Sequence, residues 1–208
     1  MSFLSSVLRT SSTFVLAASL AVAVAAEPAL EAPTPAEISG ATKWTSAVIH
    51  TSHGDLHLTL DPVAAPISVA NFVKLAQAKF YDNLQFHRVV KGFVVQGGDP
   101  NSREGANGRL GAGGPGYTIP SEAGPGKPVH NAGALAMADA GLNTAGSQFY
   151  LALNDIHQLD GRYTVFGKLS DAKELSILRQ INQGERFSVE IIEPAQAEPA
   201  KAEPAVAK

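Results

Sequence analysis

The 208-residue chain contains no cysteine. Disulfides, thiolate nucleophiles, Cys-ligated zinc and iron–sulfur clusters are therefore excluded, and so is lipid attachment to a cysteine behind the N-terminal apolar run. Charge is sparse as well: Asp, Glu, Lys and Arg make up 17% of the chain, the formal net charge is −3, and no basic cluster occurs. A chain of this kind lacks the electrostatic footprint of a nucleic-acid binder, so no nucleic-acid partner is expected. Long hydrophobic runs are missing too. The apolar stretch at residues 13–26 is shorter than the ~20 residues a spanning helix needs.

What the chain does have begins with an export signal over residues 1–26. Arg9 is its only charge, residues 13–26 are apolar, and Ala23-Val24-Ala25 puts small residues at the −3 and −1 positions of a cleavage site. The competing reading is an uncleaved N-terminal anchor. The expected mature protein lies outside the cytoplasm, in a periplasm first of all, with secretion or an organellar lumen as alternatives, and carries no membrane insertion after cleavage.

Residues 27–43 are rich in Ala, Pro and Glu without a sustained period and read as a flexible spacer. Residues 194–208 repeat Ala-Glu-Pro-Ala and read as a disordered tail. One compact domain is expected over residues 44–193.

Within that domain, residues 55–60 alternate polar and apolar, the mark of a half-buried strand. Residues 47–51 are its hairpin partner across Ser52-His53-Gly54. Pro66 opens a helix whose Val69, Phe72, Val73 and Ala76 share one face. Residues 84–90, 93–96, 134–138, 148–153, 163–169 and 187–192 read as strands. Asp171 with Glu174 is a cap-like pair that starts a second helix, and Gly184 ends it. Two helices among seven or eight short strands suggest a mainly β fold, a closed antiparallel barrel. Fourteen of the nineteen glycines fall between Gly92 and Gly146, so this stretch loops over one face of the barrel.

Several motifs fail on context. Gly111-Ala112-Gly113-Gly114-Pro115-Gly116 has dinucleotide-loop spacing, but Pro115 and Pro120 forbid the helix that must follow. The 141–147 segment has the two glycines of a phosphate loop without its lysine. His53 and His57 sit around a helix-breaking glycine and read as solvated surface residues. Ser147 and His130 lack a nucleophile elbow and an orienting acid.

The most informative segment runs Phe86-His87-Arg88 through Phe93-Val94-Val95-Gln96-Gly97-Gly98-Asp99. It places an arginine and a glutamine inside apolar runs, where burial of a guanidinium is costly without a specific task. A second island, Gly146-Ser147-Gln148-Phe149-Tyr150, follows fifty residues on. Structural roles in a salt bridge or a backbone pairing are open for Arg88 and Gln148 taken singly. Together with the aromatic residues they point to a site that grips a peptide.

These two blocks, with Leu159-Asp160-Gly161-Arg162-Tyr163-Thr164-Val165-Phe166-Gly167, resemble the cyclophilin-type peptidyl-prolyl cis-trans isomerases, and Gly114-Pro115-Gly116-Tyr117-Thr118-Ile119-Pro120 is similar to bacterial-type members. The resemblance covers residues 47–192. It implies a closed eight-stranded antiparallel barrel capped by two α-helices and an isomerase acting on Xaa–Pro bonds in unfolded or newly exported polypeptides, monomeric and without cofactor or metal. It places catalytic roles on Arg88 and Gln96, and substrate binding on Phe93, Val94, Ala138, Asp139, Gln148, Tyr150, Leu159 and Tyr163. Asp139 stands where asparagine is common, Tyr150 where phenylalanine is usual, and Tyr163 where many members have histidine. Gln158 replaces a tryptophan of some members, so tight cyclosporin binding is not implied. The alternative is a non-catalytic chaperone holding proline peptides in the same groove.

Overall fold

The computed structural model describes residues 30–193, so the export-signal reading of 1–26 and the tail reading of 194–208 lie outside the described residues. Nine strands form one antiparallel sheet: β1 Ser46–Thr51, β2 Gly54–Leu60, β3 Leu84–Gln85, β4 Arg88–Val90, β5 Val94–Gly97, β6 Ala134–Met137, β7 Phe149–Ala152, β8 Val165–Leu169 and β9 Arg186–Ile191. The spatial order is β3-β9-β1-β2-β8-β6-β7-β5-β4, with the first hairpin closing tightly on Ser52 and His53.

The strand expected over 84–90 is two strands, which brings the count to nine rather than eight. Phe86 still pairs toward the β9 side, donating its N–H to Glu185 O and accepting from Gly184 N. From Arg88 onward the chain instead faces Gln96 on β5. The two ends of the sheet order are thus separated by only Phe86 and His87, and the sheet curls on itself.

Three α-helices flank the sheet: α1 Pro35–Ser39, α2 Pro66–Gln77 and α3 Leu175–Gln180. The expected face of α2 is buried, with Phe72 at its centre 5.3 Å from both Tyr81 and Phe166 and 5.5 Å edge-on from Phe149. No side chain of its own caps α2. Glu122, from the long loop, accepts from Ile67 N at 2.9 Å, Ser68 N at 2.8 Å and Ser68 Oγ at 2.7 Å, satisfying N–H groups that a helix start leaves open.

Three expectations are corrected. The stretch predicted as a flexible spacer is helical from Pro35 to Lys43, because Thr34 and Glu37 form a reciprocal capping box and Ala41 and Trp44 bury against the core. At the second helix, Asp171 caps a 3-10 turn, Ala172–Glu174, while the Glu174 carboxylate goes to the N–H and Nδ1 of His57 rather than back to the cap. That helix ends at Gln180, and Gly184, at φ 91°, turns the chain into β9. His57 and His53 are consequently paired, with Glu174 and Glu185, rather than simply solvated.

The β period of two divides the middle of the sheet between two apolar clusters. Val95, Leu135, Met137, Phe149 and Leu151 enter the main core. Val94, Ala134, Ala136, Tyr150 and Ala152 face the other way, where Phe93, Ala138, Leu159 and Tyr163 pack onto them. This second cluster is the floor of the candidate site.

Candidate active site

Strands β4, β5 and β7 lie side by side, and register places Arg88 opposite Gln96 and Gln96 opposite Tyr150. The side chains on this face form a polar relay. Arg88 Nη1 donates to Gln96 Oε1 at 3.2 Å, and Gln96 Nε2 donates to Gln148 Oε1 at 3.0 Å. Gln148 Nε2 then donates to the carbonyls of Gly111 at 3.0 Å and Gly113 at 2.9 Å, tying the relay to the glycine-rich loop. That loop is itself pinned by buried Asp99, whose carboxylate accepts from Asn101 N and Gly111 N.

The relay borders a cavity of ≈ 260 Å³ lined by Arg88, Phe93, Val94, Gln96, Ala138, Asp139, Tyr150, Leu159 and Tyr163. Nine of the ten residues singled out from sequence meet there. The tenth, Gln148, lies on the wall of an adjoining cavity of ≈ 320 Å³, which shares Gln96, Ala138 and Asp139 with the first.

Arg88 is exposed, contrary to the burial its apolar neighbours suggest. Its guanidinium carbon lies 5.9 Å from the Phe93 ring centroid, within cation–π range. None of the ion pairs among the described residues involves it. The arrangement is a fixed cation at the mouth of an apolar cup, with donors still free for a ligand.

Tyr150 forms one wall of the cup, edge-on to Tyr163 with centroids 6.2 Å apart. Burial, then the neighbouring Tyr163 and Asp139, push its phenol well above the ordinary range, so it stays protonated and can only donate or accept as O–H. Asp139 accepts from Gly141 N at 3.0 Å. Burial pushes its pKa up, against the Gly141 hydrogen bond and the charge of Arg162, which favour the carboxylate.

Three features of the site escaped the sequence reading. His130 and Asp160 lie behind Tyr150; in sequence His130 appeared only in a failed hydrolase pair without an orienting acid, which Asp160, seen there only within the 159–167 block, does supply. His87, within the most informative segment, is buried with neither ring nitrogen hydrogen-bonded among the described residues. Burial lowers its pKa; the nearby Asp99 charge and Gln148 amide act in the opposite direction, although the amide is outside hydrogen-bonding geometry. Among the described residues, no group of three or more His, Asp or Glu side chains is placed to hold a metal ion.

With this geometry in hand, the chain compares closely with known proteins. It is 45% identical over 143 residues to a peptidyl-prolyl cis-trans isomerase of Helicobacter pylori, covering 69% of this chain and 83% of the relative. It is 44% identical over 152 residues to one of Synechococcus elongatus, covering 73% of this chain and 99% of the relative. A crystal structure of a Cryptosporidium parvum cyclophilin type peptidyl-prolyl cis-trans isomerase in the presence of the dipeptide Ala-Pro superposes with a TM-score of 0.61 at 31% identity, covering 71% of this chain and 99% of that one. Residues 46–201 match the family described as cyclophilin type peptidyl-prolyl cis-trans isomerase/CLD, and the chain belongs to that family.

Proposed function

We propose that the Arg88 pocket accelerates rotation about Xaa–Pro peptide bonds in unfolded polypeptides. The amide C–N bond resists rotation by about 18–20 kcal/mol because resonance gives it double-bond character. Lowering a relaxation of tens of seconds to milliseconds takes about four decades, or about 5.5 kcal/mol of transition-state stabilisation. No nucleophile or proton transfer is needed, only tighter binding of the twisted amide than of either planar isomer.

In the twisted amide the prolyl nitrogen pyramidalises and regains its lone pair, and the Arg88 guanidinium donates to it. The guanidinium is always charged, and Gln96, held by Gln148 and through it by two loop carbonyls, fixes its aim before substrate arrives. Phe93, Val94, Tyr150, Leu159 and Tyr163 hold the proline ring. The Ala138 N–H is already donated to Gln148 O, which leaves the Ala138 carbonyl and the Asp139 backbone to take the other half of the peptide as an added strand. One end is held while the other turns. Support also comes from the related structure solved with Ala-Pro.

The observation that carries this reading is a cation at the rim of an apolar cup, aimed by a glutamine and neutralised by no carboxylate among the described residues. Arg88→Ala, with its fold checked by circular dichroism, is expected to lose about a hundredfold or more in a protease-coupled Xaa–Pro assay. Wild-type activity in the folded variant would remove the arginine mechanism. An isomerase also speeds proline-limited refolding at trace amounts, whereas a holding chaperone acts only near stoichiometry.

Two finer readings go with this one. The curled sheet is an eight-stranded closed barrel if β3 and β4 count as one strand bent at Phe86 and His87, which their separation by two residues supports. Residues 1–26 direct export to a periplasm, where newly translocated chains are the clients, and the monomer is the acting form. Intact mass of the protein from its native host tests the export reading: retention of residues 1–26 would contradict it.

A further inference from the structure

The proline cup opens into the second cavity, and the join between them has a chemical character of its own. Gln96, Ala138 and Asp139 border both spaces. Beyond the join most of the wall is small, with Gly111, Gly113, Thr118, Ala140 and Thr144 among its residues and Tyr117 and Gln148 as its larger members. Among the described residues lining this cavity, Asp139 alone carries a formal charge. One of its oxygens takes Gly141 N at 3.0 Å. The carboxylate is in no ion pair among the described residues, and it is half-buried, where a charge pair is screened less than on open surface.

Taking the isomerase reading as its basis, we propose that Asp139 is a specificity-determining residue, selecting segments that carry lysine or arginine at the second or third residue before the proline. With the proline ring in the cup, an extended chain advances about 3.3 Å per residue along the end of β6 toward the second cavity. A lysine at either position has the stem length to lie over the glycine-rich wall and bring its ammonium to the unpaired carboxylate oxygen. Glutamate in the same place meets like charge. Arg88 lines the proline cup but not the second cavity, so a cation serves the proline while the anion Asp139 borders the space upstream of it. Asp139 is the charged group among the described residues lining this cavity, which makes charge the property it discriminates.

The test uses peptides with one Xaa–Pro bond, carrying lysine, norleucine or glutamate at each of the two positions. NMR exchange measurements give turnover and Kd from the same titration. Lysine is expected to exceed norleucine by about threefold to fivefold in kcat/KM and in affinity, with glutamate below norleucine. The lysine advantage should shrink in ~1 M salt, where the screening length falls to about 3 Å. Asp139→Asn keeps an oxygen for Gly141 N, and its lysine-to-norleucine ratio should fall to about one whatever its activity on the neutral peptide. Equal lysine and norleucine values in the wild type, or a ratio that survives Asp139→Asn, would overturn the assignment. Should no peptide be turned over at all, the isomerase reading fails separately, and the Kd ratios still decide the role of Asp139.

Discussion

The hydroxyl of Tyr150 lies 2.9 Å from Nε2 of His130, a side chain with no exposed surface, and His130 Nδ1 lies 2.8 Å from Asp160 Oδ1. An ionised Asp160 only accepts, so Nδ1 carries a proton, and in the tautomer this leaves Nε2 accepts the Tyr150 O–H. The backbone N–H of His130 adds a second bond to the same carboxylate oxygen, at 2.7 Å. The polar end of a tyrosine that presents its ring to the proline cup is thereby satisfied inside the protein.

This relay predicts that Tyr150→Phe keeps the wall of the cup but strands a buried acceptor. The expected destabilisation is about 1–3 kcal/mol, read as a fall of several degrees in Tm. His130→Ala should cost more, because it orphans the Tyr150 hydroxyl and leaves a cavity beside it. Thermal melts of the two single variants and their double variant measure the coupling. Independent, additive losses would show that the hydroxyl and the imidazole do not act as a pair.

Glu122 gives a second prediction. It supplies α2 with the cap that the helix's own sequence lacks, through two N–H groups and the Ser68 hydroxyl. Glu122→Ala should cost about 1–2 kcal/mol, in the range of lost helix caps, and increase amide hydrogen exchange in the first turn of α2. Glu122→Gln should recover part of the loss, since its carbonyl oxygen still accepts. A Glu122→Ala protein with wild-type stability and exchange would show that water replaces the carboxylate without cost.

These two cases also mark what a linear sequence conveys. Arg88, Gln96 and Tyr150 were legible as a group through the resemblance of their blocks to the cyclophilin-type family, and the structure shows the physical reason they meet: three adjacent strands align them in register. The buried stripe of α2 was legible from its period of 3.6 over three turns. Glu122 was not, since a carboxylate 54 residues from Ser68 leaves no local pattern. Nor was the bond between His130 and Tyr150, which depends on the loop before β6 folding back beneath β7. Helix α1 has five residues, too few to show a period, and is held by its capping box and the burial of Ala41 just after it. The break between β3 and β4 was hidden because residues 84–90 contain no Gly or Pro to mark a turn while the backbone changes partners.

The last prediction concerns pH. His50 and Asp55 face each other across the first hairpin, with Nδ1 2.9 Å from Asp55 Oδ1, while Nε2 lies 3.1 Å from Glu190 Oε2 on β9. A neutral imidazole has one N–H and can satisfy only one of these carboxylates; the imidazolium satisfies both. The Asp55 hydrogen bond therefore raises the His50 pKa above 6.5, burial works against it, and Glu190 adds to the rise. A folded-state pKa above the unfolded value means that this stabilisation is fully present below pH ~6.5 and is lost as pH climbs through the folded pKa. The His50 side chain is 40% exposed, so screening holds the effect below about 1 kcal/mol. Urea melts of wild type and His50→Gln should accordingly differ more at pH ~5.5 than at pH ~8.5, with wild type the more stable at the lower pH. An NMR titration of the His50 ring should give a midpoint above that of the unfolded chain. A stability difference that stays constant across this range would place the linkage elsewhere.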